Sequence, residues 1–176
     1  MTNWKEVATG WGIFYRFCMV TQPPRKAERM DAFVRSLGLE GEGFDPCYLA
    51  YFGCFNAGEY YEAHDVLEHL WLRERDANYA FYKGLIQLAG AFVHLKKQRA
   101  RPDHPTDGRR LHPAVRLFRL AEQNLAPYRP RHLGLDLPEV LALIAHQVTT
   151  IEREGFTRNP WSPETAPQLR LGPLTE

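Results

Sequence analysis

The sequence of 176 residues lacks several compositional features that identify large classes of protein. It has only three cysteines, an odd number and too few for a small secreted scaffold held together by disulfides. Lysine and arginine number 22 against 21 aspartates and glutamates, so no overall positive field points to nucleic acid. A hydrophobic content of 44% argues against a wholly disordered chain. The length fits one domain with a substantial core.

Long apolar runs are also missing. The run 13–20 is interrupted by Arg16, and the stretch 85–95 contains Gln87 and His94, whereas a bilayer span needs roughly 20 apolar residues. The first residues do not resemble a secretory signal. We therefore expect a cytoplasmic protein with no membrane segment and with free thiols. The spacing of Cys47 and Cys54 predicts two small apolar side chains on one helix face.

Helical periodicity dominates the chain. The predicted helices cover 26–37, 45–55, 59–75, 78–99, 112–125 and 136 to just before Gly155. Period-2 alternation predicts at most a short strand, over 11–20. The expected fold is an all-α single domain, with an N-terminal extension carrying one helix (1–45), a bundle of about five helices (46–154) and an extended Pro-rich tail (155–176). The helix 78–99 is apolar on nearly all sides and is expected at the centre of the bundle.

Polar residues interrupt faces that this periodicity places at the core. On the helix 59–75, one edge of the apolar stripe carries Tyr61, His64, Glu68 and Trp71, whereas Glu62, Asp65 and His69 are expected to face water. On the helix 78–99, Gln87 and His94 share a face. Gly90 and Ala91 lie close to that face and leave room for a ligand, a water or a close helix contact. If the two helices pack antiparallel, an inward-facing cluster forms from His64, Glu68, Gln87 and His94.

Three interpretations of this cluster are open, because buried ionisable groups must be paired, bind an ion or open into a pocket. It is a hydrogen-bonded network that fixes helix register, a small-molecule or catalytic pocket, or a metal site. Two imidazoles and a carboxylate, from His64, Glu68 and His94, suit zinc or iron. His64 and His69 are too far apart around a regular helix to bind one ion, so an inverted zinc-protease motif is excluded. The sequence contains no nucleotide-binding glycine motif.

Residues 55–71, FNAGEYYEAHDVLEHLW, resemble the signature of the domain-of-unknown-function 309 family. The block KGLIQLA at 83–89, followed by His94, is similar to the second block of that family, and the resemblance covers about 46–125. It departs from the family at Asp65, where glutamate is more common, and at 112–114, where a Gly-Ala step is expected. The resemblance implies a small all-helical bundle of prokaryotic type and no particular reaction. It implies a shared polar cluster of Asn56, Glu62, His64, Glu68, Trp71, Gln87 and His94.

The near-zero net charge hides two oppositely charged stretches. Residues 40–76 contain nine acidic and two basic residues, and residues 96–131 contain ten basic and three acidic ones. Two solvated surfaces explain this pattern, and a homodimer that joins both surfaces is an alternative. Nucleic-acid binding by 96–131 is less favoured, because 96–110 has no aromatic residue on which a base could stack.

The sequence predicts a ligand-binding or structural and regulatory module, with Asn56, Glu62, Trp71 and Gln87 as ligand-binding residues. The alternative is a hydrolase or lyase in which His64 is the general base, Glu68 orients it and His94 is the proton donor or second ligand. That enzyme could use a bound metal. A second alternative is nucleic-acid binding through 96–131. The sequence identifies neither a cofactor nor a metal.

Overall fold

A computed structural model describes residues 26–38, 43–74 and 77–174. Cys18 and the strand predicted over 11–20 lie outside these residues. The described helices are α1 (Lys26–Ser36), α2 (Pro46–Asn56), α3 (Tyr60–Arg73), α4 (Tyr79–Ala100), α5 (Leu111–Leu125) and α6 (Leu137–Arg153). A two-stranded antiparallel hairpin, β1 (Arg131–His132) and β2 (Leu135–Asp136), precedes α6. The predicted all-α fold is confirmed. The hairpin was not predicted, because two-residue strands are too short to show a period.

Local signals in the sequence explain where the helices begin. Asp45 caps α2 by accepting a hydrogen bond from the Cys47 amide at 2.7 Å, and Pro46 follows it. Asp136 caps α6 in the same way by accepting from the Glu139 amide at 3.1 Å. Aspartate at the N-cap followed by proline in the first turn favours a helix start. Gly58 makes the tight turn from α2 to α3 with φ +74°, a conformation that favours glycine.

The core is built around α4, as its apolar sequence predicted. α4 packs against α3 on one side and α5 on another, while α2 packs on α3 and α6 on α5. The Phe92 ring of α4 is fully buried and contacts the rings of Phe55, Tyr60 and Phe118, with centroids 5.2–5.4 Å apart. This aromatic cluster joins four elements of the bundle and fixes α4 at its centre.

Both described cysteines lie on α2 and are buried and free, as their spacing predicted. Burial raises the pKa of Cys47 and of Cys54 to about 11, with a smaller contribution from neighbouring carboxylates. These thiols are therefore protonated and unreactive at neutral pH. Among the residues that the structure describes, no helix combines the length and the apolar character needed to span a membrane.

The Pro-rich C-terminal segment, residues 155–174, is extended but lies against the bundle. Trp161 is buried and its indole N–H donates to the Tyr60 hydroxyl at 3.0 Å. Further along, Leu171 forms an isolated antiparallel bridge with Leu135 of β2, and the Gly172 amide donates to the Gly134 carbonyl at 2.8 Å. Buried side chains and backbone hydrogen bonds therefore hold this segment in place.

Candidate functional site

The polar side of α3 brings together three side chains that could bind a cation. His64, Asp65 and Glu68 each offer one ligand atom, and these atoms all lie within 4.8 Å of one another. His64 Nδ1 is 3.3 Å from Asp65 Oδ1. The side chains of His64 and Asp65 are 34% and 40% exposed. This group, which we call the α3 cation group, is therefore accessible to an ion or a small ligand.

Asp65 and His69 were both predicted to face water. The Asp65 side chain is 40% exposed, but the structure corrects the prediction for His69, which α1 covers. His69 Nε2 lies 2.8 Å from Asp31 Oδ1 of α1, and only 14% of the His69 side chain is exposed. Met30 and Phe33 of α1 pack against the core beside α3. The periodicity of α3 could not reveal this, because the covering helix comes from a distant part of the chain.

Two adjoining cavities lie between α1 and α3. One, of about 530 Å³, is lined by Arg29, Met30, Phe33, Tyr61, Glu62 and Asp65. The other, of about 230 Å³, is lined by Ala27, Met30, Asp65, Glu68, His69 and Leu72. Because Met30 and Asp65 line both, we treat the two as one space and call it the α1–α3 groove. Two members of the α3 cation group, Asp65 and Glu68, therefore line a space large enough for a small molecule.

Gln87 lies on the face of α4 that packs against α5. Its Oε1 accepts a hydrogen bond from Asn124 Nδ2 of α5 at 2.8 Å. One turn further along, a Cβ built on Gly90 would lie 3.2 Å from Leu117 Cδ1 and 4.0 Å from His64 Cδ2. The space that Gly90 leaves is thus used for close helix packing, one of the three uses that the sequence predicted.

His94 lies beside cations rather than in the α3 cation group. Its Nδ1 is 3.4 Å from Arg110 Nη1, and it accepts because a guanidinium can only donate. Burial and then the charges of Arg110, Lys97 and Arg116 lower the pKa of His94. Arg110 in turn donates from Nε and Nη2 to Asp107 Oδ1 at 3.2 and 2.7 Å. The structure therefore holds His94 as a neutral imidazole next to the connection between α4 and α5.

Asn56 and Glu62, which only the family resemblance indicated, have different environments. Asn56 Nδ2 donates to the Leu169 carbonyl at 2.9 Å, and the Leu169 amide donates to Asn56 Oδ1 at 2.7 Å. The Asn56 carbonyl also accepts from Gln168 Nε2 at 2.9 Å. Asn56 thus fastens the C-terminal segment to the end of α2. Glu62 is exposed, as its position on the helix predicted, and it lines the α1–α3 groove. Its ligand-binding role stays a prediction.

Trp71 joins the end of α3 to the beginning of α4. Its ring packs on the ring of Tyr79, with centroids 4.8 Å apart. The indole Nε1 is buried and has no hydrogen-bond partner among the described residues. The ligand-binding role of Trp71 stays a prediction, and its observed contact is one of packing.

Sequence reasoning missed three residues that complete these environments. Asp65 precedes Glu68 by three positions and His64 precedes it by four, and both spacings make the two side chains neighbours of Glu68 on a helix. Asn124 follows Leu117 by seven residues, or two helical turns, so both lie on the same side of α5. A polar residue on this partly buried side was a signal in the sequence that a polar partner such as Gln87 was needed. Arg110 follows Asp107 by three residues, but both lie in a stretch with no helical period, where the sequence indicates no pairing.

Comparison with known proteins gives a match in the central part of the chain. Residues 48–102, from the first turn of α2 to just beyond α4, match the family model of a domain of unknown function, DUF309. This segment is therefore similar to the DUF309 family. The match confirms the resemblance that the sequence suggested, and it includes His64, Asp65, Glu68, Gln87 and His94. No curated protein and no solved structure gives a significant match to the chain.

Proposed function

We propose that the protein is a ligand-binding module whose α3 cation group binds a divalent metal ion. The observation that supports this is the convergence of one imidazole nitrogen and two carboxylate oxygens within 4.8 Å, from His64, Asp65 and Glu68. Imidazole and carboxylate together suit zinc, manganese and iron. Two carboxylates also balance the charge of a divalent ion, so that binding creates no uncompensated charge.

The side chains must move closer together before they can share one ion. Two ligand atoms that each bond a tetrahedral zinc at about 2.1 Å lie roughly 3.4 Å apart. The three ligand atoms, which lie within 4.8 Å of one another, must therefore approach by up to about 1.4 Å, which rotation of these partly exposed side chains permits. His64 and Glu68 are one helical turn apart and so can point to one ion without a change in the backbone. The α1–α3 groove then supplies the space for a ligand that completes the coordination.

The hydrolase or lyase alternative requires a third residue, from a second helix, to lie beside the first two. It needs His94 beside His64 and Glu68 as a proton donor or second ligand, whereas His94 contacts Arg110 at 3.4 Å. Metal binding by adjacent residues of α3 requires no such rearrangement. The enzyme hypothesis therefore stays a prediction.

The test is a direct measurement of metal binding. Untagged protein is stripped with a chelator and titrated with Zn²⁺ and, separately, Mn²⁺ by isothermal calorimetry, with the bound metal counted by elemental analysis. We expect one ion per chain. His64→Ala and Glu68→Gln should each weaken binding at least about tenfold, because each removes one ligand atom.

The matched controls are a histidine and a carboxylate elsewhere on the surface. His146→Ala on α6 and Glu122→Gln on α5 replace exposed residues of the same types and should leave the affinity unchanged. Circular dichroism of every variant checks folding. No binding to the wild type, or equal losses in the site variants and the controls, would refute the proposal.

A further inference from the structure

A second cavity of opposite charge lies at the end of α4. It has a volume of about 330 Å³, and its lining includes Tyr61 of α3, Lys96, Lys97 and Arg101 at the end of α4, and Asp107 of the following connection. We call it the basic cavity. It is distinct from the α1–α3 groove, although Tyr61 lines both spaces.

Lys97 supplies to this cavity a positive charge that is paired with no carboxylate of the described residues. Its Nζ lies over the Tyr61 ring, 4.9 Å from the centroid, and the ion pairs found nearby in the described part of the chain do not include it. A cation–π contact holds an ammonium in place without neutralising it. Lys97 therefore retains the capacity to donate to an anion.

Arg101 is the second available cation. Its side chain is 68% exposed, and its Nη1 lies 3.6 Å from Asp107 Oδ2, an ion pair without short hydrogen bonds. Lys96 differs from both, because its Nζ donates to the Gly58 carbonyl at 2.8 Å and lies 3.6 Å from Glu59. A guanidinium has five N–H donors, so Arg101 can bind an anion and keep Asp107 as a neighbour.

Asp107 does not cancel this excess of positive charge. Arg110 donates to its Oδ1 at 2.7 Å, and Arg101 Nη1 lies 3.6 Å from its Oδ2. One carboxylate thus faces two guanidinium groups, with the charge of Lys97 also acting on it. The same field lowers the pKa of Asp107, chiefly through its hydrogen bonds with Arg110. The connection between α4 and α5 therefore has more cations than this carboxylate can balance.

We infer that the basic cavity binds the phosphate group of a small ligand, held by Lys97 and Arg101. Ammonium and guanidinium groups make strong, charge-assisted hydrogen bonds to phosphate oxygens. A volume of about 330 Å³ is at the lower end for ligand pockets and fits one compact group. A nucleic-acid strand would instead need a groove that follows several phosphates and free aromatic faces, whereas Lys97 covers the Tyr61 ring. This inference does not rest on the proposed metal site.

The test is a calorimetric titration of the full chain with inorganic phosphate at low ionic strength, after metal ions and the chelator have been removed. We expect one phosphate per chain, and Lys97→Gln and Arg101→Gln should each weaken binding about tenfold. The matched control is Arg99→Gln, which removes an exposed arginine of the same helix that does not line the cavity, and it should keep the wild-type affinity. Thermal melts check that each variant is folded. No phosphate binding to the wild type would refute the inference.

Three further measurements distinguish a phosphate site in the basic cavity from binding at another place or of another kind. His64→Ala should leave phosphate affinity unchanged, and a loss there would place the phosphate at the α3 cation group instead. Sodium acetate should bind more weakly than phosphate, and equal binding would indicate a nonspecific anion effect. A single-stranded oligonucleotide that binds much more tightly than phosphate, with a steep salt dependence and equal losses in Arg99→Gln, Lys97→Gln and Arg101→Gln, would overturn the inference in favour of a nucleic-acid surface.

Discussion

The polar side of α3 and the end of α4 each contain a partly exposed histidine, in opposite surroundings. His64 lies beside Asp65 and Glu68, whereas His94 lies beside Arg110 and under the influence of Lys97. The first environment contains carboxylates and the second contains guanidinium and ammonium groups. His64 and His94 lie on two helices that pack against each other. They nevertheless belong to two regions of opposite charge rather than to one cluster.

Both regions depend on the same core. Phe92 lies on α4, two residues before His94, and contacts Phe55 of α2, Tyr60 of α3 and Phe118 of α5. Changes in this core should therefore affect both regions together, and changes at either site should affect one alone. Substitutions in the core and in each region can test that separation.

Phe92→Ala should have the largest effect. Truncation of a fully buried phenylalanine costs about 3–5 kcal/mol of unfolding free energy, so the midpoint of urea denaturation should fall sharply. Phe92→Leu keeps most of the apolar volume and should cost less. In dilute buffer, where the variants remain folded, metal and phosphate affinities should be retained or reduced in parallel. Loss of metal affinity alone, or of phosphate affinity alone, would contradict the view that one core positions both sites.

Asp107→Asn should have an intermediate effect, confined to the basic region. The folded protein lowers the pKa of Asp107 through its hydrogen bonds with Arg110, so the ionised carboxylate stabilises the fold above its ordinary pKa of 3.8. That stability is lost as the pH falls through the lowered value. The variant should therefore melt below the wild type at neutral pH, and the gap should close in acid.

The same variant sharpens the comparison of the two regions. Loss of the carboxylate from the basic cavity should strengthen phosphate binding and leave metal binding at the α3 cation group unchanged. A gap in melting temperature that persists at the lowest pH, or a phosphate affinity that falls, would show that Asp107 acts through packing rather than through charge.

Arg110→Gln should have the smallest effect, a shift in the titration of one histidine. Burial and the neighbouring cations hold the pKa of His94 below its ordinary value of 6.5. Removal of the Arg110 charge should raise that pKa, which two-dimensional NMR of the imidazole resonances can follow. Arg116→Gln, which removes a weaker influence, should raise it less. An unchanged titration in both variants would mean that burial alone sets the pKa.

The lowered pKa of His94 also makes the stability of the fold depend on pH. Because the pKa of His94 is lower in the folded than in the unfolded chain, the unfolded chain binds more protons, and stability falls as the pH decreases below about 6.5. His94→Asn should therefore lose less stability than the wild type between neutral pH and pH about 5. A steeper loss in the variant would contradict the assignment of a neutral imidazole.

Most of the helices were predictable from the sequence, because their signals are local. Asp45 and Pro46 mark the beginning of α2, Asp136 and Pro138 mark that of α6, and the apolar residues of α4 place it at the centre. The resemblance of residues 55–71 to the DUF309 signature was local in the same way, and a match over residues 48–102 confirms that resemblance. The association into a homodimer and the cytoplasmic location stay predictions.

The candidate site was only partly predictable. His64 and Glu68 were found because one helical turn separates them on a single element, and helical geometry fixes that relation. Gln87 and His94 were assigned to the same cluster because they share a face of α4. Their partners, Asn124 and Arg110, come from α5 and its preceding connection, and no local period carries that information.

The sequence by itself determined the helices, the caps of α2 and α6, the central position of α4 and the net charges of the two stretches, since these depend on residues that are close together in the chain. The tertiary structure alone decided that α1 covers His69, that Asn56 fastens Leu169 and that His64 and His94 belong to different surroundings. Asn56 and Leu169 are 113 positions apart. Contacts over such separations form only when the whole core packs, and the packing chooses among many faces that local patterns leave equally possible.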